Sequence, residues 1–400
     1  MLTPVNALTL PSFVSYFVTN TLSLLGTWVQ KVSLGWLAWQ ITESTFWTSL
    51  VSLTLMAPVG FLGPFIAVFA ENWDSRRAML ITKGLMAFIS AVIFLVQILG
   101  LHNLYSLLAS SIALGLLSAF HHPVRLVFIS LVVPRPYLAS AVGMNSVSWN
   151  VSRIIGPSIA GMTIYLFGPS ETFGLATALY LPLVICLWFM ALQPRNTETS
   201  STDSFFGQIV DGGAVVIRNP LIFSTLCLVF VNSFFVRGVL EIQPAIVGQI
   251  LAGESASLAI VTAAAGIGSL IASGWIGLGQ LNHSRIQDLL WPMVLAGIII
   301  TASLHFFVNL VPISMIFIVT GFTATLVGIG AQTLIQLEVN ENYRARVMTW
   351  WSTISFGSLV FGGIIIGFLG DIIGIGNAVI IMMLGGVAVA LSLLIWRRKT

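Results

Sequence analysis

The stretch His121–Gly161, HHPVRLVFISLVVPRPYLASAVGMNSVSWNVSRIIGPSIAG, decides the reading of this chain. It runs from one apolar segment, through a basic loop, into a second apolar segment that carries Arg153 and a Gly156–Pro157 break. The pattern returns 206 residues later. Ile129, Leu131, Val133, Tyr137, Ala139, Ser146, Gly156 and Gly161 match Ile335, Leu337, Val339, Tyr343, Ala345, Ser352, Gly362 and Gly367. Upstream, Gly60 with Gly266 and Gly115 with Gly321 keep the same offset. An offset held over this length marks two copies of one structural unit.

The rest of the chain says what solvent that unit meets. Of 400 residues, 57% are hydrophobic and 7% are charged, against about 25% charged in a soluble domain. So little charge cannot clothe a water-facing surface, whereas lipid accepts it. The net charge of +3 and pI near 9.1 do not point to nucleic acid, because the cations are scattered singly and form no face. Cys186 and Cys227 lie in apolar runs without ligand spacing, and no acids stand at metal spacing. No metal site and no cofactor are expected. There is no Ser/His/Asp set, no carboxylate pair and no nucleotide loop, so the chain does not read as an enzyme.

The apolar runs predict twelve transmembrane helices, at 12–40, 46–70, 78–99, 104–131, 139–167, 172–192, 220–248, 256–279, 288–307, 312–336, 346–370 and 374–396. Most hold the roughly 20 residues that cross about 30 Å of hydrocarbon. The first run is too long for a signal peptide and reads as an uncleaved span. The runs lack the alternation of a membrane barrel. The fold class is therefore an all-α polytopic membrane protein with two pseudo-symmetric six-helix bundles, 1–192 and 220–400. A cytoplasmic linker, 193–219, joins them, with room for a short interfacial helix over 205–217. With the N-terminus inside, thirteen of the sixteen Lys and Arg residues fall in cytoplasmic loops and ends and none in outer loops. Lys83 and Arg125 are counted among them. The positive-inside rule then puts both termini in the cytoplasm. In a membrane, such a duplication points to a transporter with its substrate site between the halves.

Local patterns sharpen this. Gly26, Thr27, Trp28, Val29 and Gln30 with Trp36 and Leu37 resemble the first helix of the drug and siderophore exporter branch of the major facilitator superfamily. Pro123 and Arg125, Val133 and Pro134, Met144 to Ser146, Asn150, Arg153 and Gly156–Pro157 are similar to the same branch. Gln336 and the run Tyr343 to Met348 resemble its second-half counterpart. The resemblance implies alternating access between the two bundles. In the loop between helices 2 and 3 the superfamily's acid survives as Glu71, while its glycine is Ala67 and two of its basic positions are Asn72 and Ser75. The resemblance gives Glu71, Asp74, Arg76 and Arg77 the role of a charge latch on the cytoplasmic gate. The alternative is a solvated loop. Gly156 and Pro157 would belong to the gating helix. Asp371 is expected to cap the outer end of span 11, and His121 and His122 to lie at the inner end of span 4.

The charged residues inside spans carry the functional expectations. The repeat superposes Arg237 on Lys31, and helices 1 and 7 line the cavity in proteins of the resembled family. An isolated charge at that depth costs at least about 2.5–3.5 kcal/mol. Either both face a wet cavity or both snorkel to headgroups. Arg153 either binds an anionic group or satisfies carbonyls freed by Pro157. Glu241, four residues after Arg237, falls on the same helix face. It is the candidate proton carrier, or a static partner of Arg237. Trp28, Trp36, Phe234 and Phe235 either stack on a planar substrate or face lipid.

Lys31, Arg153 and Arg237 against Glu241 make the expected cavity cationic. The reading is a secondary transporter of an amphipathic, anionic small molecule, a siderophore or drug-like metabolite, in a bacterial inner membrane. Proton-coupled export by a monomer is expected. The alternatives are a siderophore importer of the same fold and a non-transporting sensor or assembly factor. The partners implied are the small-molecule substrate, protons and the lipid bilayer.

Overall fold

The computed structural model describes residues 6–70, 73–190, 205–277 and 283–399. The first half contains α1 (Pro11–Thr42), α2 (Thr45–Thr54), α3 (Ala57–Ala70), α4 (Ser75–Ile98), α5 (Leu104–Val132), α6 (Leu138–Phe167) and α7 (Pro169–Phe189). A bridging helix, α8 (Phe205–Arg218), occupies the expected interfacial segment. The second half contains α9 (Pro220–Val231), a π-helical turn (Asn232–Arg237), α10 (Gly238–Glu241), α11 (Gln243–Ile250), α12 (Ser255–Gly277), α13 (His283–Ala302), α14 (Leu310–Glu338), α15 (Glu341–Ile373) and α16 (Ile375–Lys399).

Local chemistry sets the helix ends. Pro11, Pro169 and Pro220 open α1, α7 and α9, where a missing N–H goes unused. The side chains of Ser44, Asp74, Asn103 and Asn219 accept first-turn N–H groups of α2, α4, α5 and α9, which lipid would leave unsatisfied. Gly168, at φ 102°, lets α6 turn directly into α7.

Nine helices among the described residues are long and apolar enough to cross a bilayer, and the bent pair α2–α3 makes a tenth. The helices α1 and α6, of 32 and 30 residues, are long enough to cross as well, which is consistent with the twelve expected. They are more polar because they bury Asn20, Gln30, Lys31, Asn145 and Ser152. On α4, by contrast, Ile81, Leu85, Phe88, Val92 and Leu95 form an exposed stripe at helical spacing, as a lipid-facing surface requires.

Two expected spans are not single helices. The run 46–70 bends by 41° between α2 and α3, where Pro58 has no N–H for the preceding turn. The run 220–248 widens into the π-helical turn and breaks again at Ile242, just before Pro244. Lys83 and Arg125 also correct an expectation. Both are buried in the first half, 1% and 2% exposed, rather than in loops. α5 runs on to Val132, so His121 is buried inside the bundle and not at a helix end.

The repeat persists in the contacts. A Cβ on Gly156 would strike Trp28, and one on Gly362 would strike the Phe234 carbonyl, two contacts related by the same 206 offset. The halves meet through α6 with α12 and α15 with α2 and α3. At the end holding the turns after α1, α6 and α11, one apolar core spans both halves. At the end that holds the chain termini, the core around Phe13, Met79 and Leu187 is separate from that around Val216, Ile335 and Val347. Among the described residues, the halves thus share a core at the far end and have separate cores at the terminal end.

Asp371 sits at the far end. Rather than capping its own helix, its carboxylate accepts from Ser44 Oγ at 2.5 Å, Thr45 N at 2.6 Å and Thr45 Oγ1 at 2.8 Å. It thus caps α2 of the other half, favoured by the positive helix end.

Gly156→Leu and Gly362→Leu are each expected to destabilise the protein by about 1–3 kcal/mol through overpacking. Gly84→Leu, where nothing lies within 4 Å of the added Cβ, should leave the thermal midpoint in detergent unchanged.

Candidate functional site

Between the halves lies a cavity of about 110 Å³, room for several waters. α1 contributes Trp28 and Lys31, α6 contributes Arg153 and Pro157, the π-helical turn Arg237, and α10 Glu241. α12 adds Thr262 and Ser269, and α14 adds Thr325, whose hydroxyl donates to Ser269 Oγ at 2.9 Å. All four in-span charges expected at the site line this one space.

Lys31 and Glu241 form an ion pair from one half to the other, with side chains 6% and 15% exposed. The Lys31 ammonium also sits 4.8 Å from the centre of the Trp28 ring, a favourable cation–π placement. The alternative in which Glu241 serves as the static partner of Arg237 is therefore corrected, since its ion pair is with Lys31. Arg237 and Glu241 do share the cavity-facing side, since the chain from 237 to 241 stays helical, but the carboxylate meets the ammonium of the other half. Arg237 instead donates to Ser355 Oγ at 2.7 Å and to Ser233 Oγ at 3.5 Å, both in its own half. Arg153 makes no hydrogen bond or ion pair among the described residues, yet it lines the cavity.

The arrangement has a simple electrostatic sense. One carboxylate answers three cations, and it is engaged by one of them. Two guanidiniums face the cavity with donor capacity unused, since each carries five N–H groups. The fork geometry of Arg suits carboxylate or phosphate oxygens. Ser355 was not foreseen. By the repeat it aligns with Trp149, a residue of different chemistry, so the sequence held no signal for it.

The other expected residues fall elsewhere. Gly156 packs on Trp28 and brings α6 against α1. Trp36 and Phe235 are buried in the shared core, and Phe234 packs against Phe230 and Phe235, so of the four aromatics only Trp28 lines the cavity. The expected latch is not formed across the halves by its described members. Asp74 caps α4 and pairs with Arg77 at 3.3 Å, while Arg76 donates to the Leu187 and Trp188 carbonyls at the end of α7. All of these partners belong to the first half. Glu71 lies outside the described residues.

Removing one partner of a shielded pair costs up to about 3–5 kcal/mol, whereas replacing both is often neutral. Lys31→Met and Glu241→Met should each lower the thermal midpoint clearly, and the double variant should recover most of the loss. Additive losses would mean that the two side chains do not act as a pair.

Comparison with known proteins agrees with this architecture. The family profile described as a transmembrane secretion effector, MFS_3, matches residues 2–399. The staphyloferrin A transporter of Staphylococcus aureus is 21% identical over 399 residues, covering 96% of both chains. The enterobactin exporter EntS of Shigella flexneri is 21% identical over 366 residues, covering 90% of this chain and 85% of its own. Among solved structures, a bacterial homologue of the human lysosomal transporter Spinster, in an inward-facing and unoccupied conformation, aligns with TM-score 0.75 at 12% identity over 97% of both chains. The nucleoside transporter NupG aligns with TM-score 0.72 at 13% identity, over 98% of this chain and 100% of its own. With its apolar helices and a profile match over nearly its whole length, the chain belongs to the transmembrane secretion effector family of the major facilitator superfamily. It is a multi-pass membrane transporter related to siderophore transporters, and not an enzyme.

Proposed function

We propose that this protein exports an amphipathic, anionic small molecule of siderophore type in exchange for protons, by alternating access of its two halves. The observation that carries the reading is the Lys31–Glu241 pair between the halves, with Arg153 and Arg237 in the same cavity. The excess positive charge favours an anionic cargo, and Trp28 offers it an apolar wall. An anionic group of the cargo would compete with Glu241 for Lys31. While cargo is bound, the displaced carboxylate turns to Arg237 and Arg153, which line the same cavity, and it takes a proton only after the cargo has left. Cargo and proton thus occupy the site in turn, which is the logic of exchange. The names of the relatives, one a siderophore transporter and one an exporter, support the cargo class and the direction.

In this reading the halves are 1–192 and 220–400, joined by the linker 193–219, and a monomer suffices because the cavity is built within one chain. Both termini face the cytoplasm of a bacterial inner membrane, consistent with the cluster of Lys and Arg at that end. The end with separate cores then opens to the cytoplasm, and rocking to the outside must break the Asp371 cap on α2.

Transport into inverted vesicles, measured with and without a proton gradient, tests the cargo and the coupling. Lys31→Ala and Arg237→Ala should reduce uptake of anionic siderophores at least about tenfold, as expected for losing a charged hydrogen bond. If both variants carry every anionic candidate normally, the cationic-cavity reading fails. Glu241→Gln should keep binding but lose gradient-driven flux. With Cys186 and Cys227 replaced, a cysteine at Ser52 should react faster from the far side in Asp371→Ala. An unchanged rate would remove Asp371 from the seal.

A further inference from the structure

A second concentration of charge lies inside the first half, away from the central cavity. Lys83 on α4 and Arg125 on α5 are both buried. The Lys83 ammonium has a single long bond, to Thr27 Oγ1 at 3.3 Å, and lies 4.9 Å from the centre of the Tyr180 ring. The Arg125 guanidinium lies over the Trp149 ring at 4.8 Å. Its Nε and Nη1 are buried without a partner, as are Tyr16 Oη and His121 Nε2. His121 is held beside them by Thr82, the residue before Lys83, through Nδ1 and Oγ1 at 3.0 Å. The His122 ring meets Trp149 edge-on, with ring centres 5.4 Å apart.

No carboxylate among the described residues acts on either cation. The charged group that bears on Lys83 is Arg125, and the group that bears on Arg125 is Tyr16. Two like charges are therefore buried together without compensation, which is costly in a lipid-embedded protein. Lysine can escape by shedding its proton. Arginine cannot, so a neutral Lys83 would still leave a buried guanidinium with two bare donors. Buried donors without acceptors imply a bound water or ion, and the surplus of positive charge selects an anion.

We propose that Lys83, Arg125 and the Tyr16 hydroxyl form a binding site for a small inorganic anion of chloride size within the first half. The anion accepts from Arg125 Nε and Nη1, from the Lys83 ammonium and from Tyr16 Oη. It neutralises part of the charge that α4 and α5 bring together beneath α1. Trp149, in contact with Arg125, reports occupancy.

The test uses purified full-length protein in detergent, titrated with chloride, bromide or iodide against gluconate at constant ionic strength, so that screening does not change. Chloride should raise the thermal midpoint saturably. Bromide and iodide should quench tryptophan fluorescence saturably, and Trp149→Phe should remove that component. Arg125→Gln and Lys83→Gln should each raise the half-saturating concentration about tenfold or more. Arg125→Lys, which keeps the charge but loses the fork, serves if the glutamine variant does not fold. The proposal is overturned if the folded wild type shows no saturable anion effect, or if the variants titrate like it. A midpoint that depends on pH but not on anions, and loses that dependence in Lys83→Gln, would mean that Lys83 sheds its proton instead. Because these readouts are binding and stability, they do not depend on which cargo is transported or whether protons drive it.

Discussion

The ion pair between Lys31 and Glu241 is the constraint on which the centre of this molecule depends. Each residue comes from a different half, so the pair ties the halves together where their helices line the cavity. Either charge alone would be expensive at that depth. Together, with the Trp28 ring beneath the ammonium, they are tolerated. An interaction of this kind differs from apolar packing in one respect that matters for transport. A third charged group can replace one partner, and the displaced one can turn to a proton or to another charge in the same cavity. Leucine side chains across the same gap would hold the halves equally well but would not yield to a solute.

The far-end seal uses different chemistry. There the halves close on small residues. Gly367 lies against Ser49 and Thr45, and Gly363 against Leu53, so backbones approach closely, as membrane helices do when small residues face each other. Onto this close contact Asp371 adds several charge-assisted bonds to the start of α2. The order of dependence is clear. The glycines permit the approach, and only after it can a short carboxylate reach across to the other half. At the terminal end the described residues of the two halves form separate apolar cores.

The sequence revealed the features that follow from solvent and from duplication. Apolar run lengths gave the spans within a few residues, because lipid leaves a backbone no alternative to the helix. The 206 offset survived down to paired contacts such as Gly156 with Trp28 and Gly362 with Phe234. It also superposed Lys31 and Arg237, two residues that line one cavity. What the sequence did not show was partners across the interface. Glu241 shares the cavity with Arg237, but its carboxylate meets Lys31 of the other half. The π-helical turn at Asn232–Arg237 was not visible, while Pro244 signalled the break at Ile242. Asp371 was read as a cap of its own helix because nothing in the chain says which helix start lies opposite. Lys83 and Arg125 were assigned to loops because positive charge near a span's end is usually there. The expected spans 78–99 and 104–131 already held both positions, so the rule about basic loops outweighed the span bounds.

These two errors of placement share a cause. Sequence rules treat a membrane cation as something to be kept near water, and both Lys83 and Lys31 depart from that rule. The departures differ in kind. Lys31 has a carboxylate across the interface, and its charge is balanced when the halves are together. Lys83 and Arg125 belong to one half and have no acid partner among the described residues. A pair split between halves is broken or remade at every transport cycle. A cluster within one half is not, so its charge must be met in every state by something that travels with that half. The central pair is therefore suited to exchange, and the lateral cluster to a resident counter-charge.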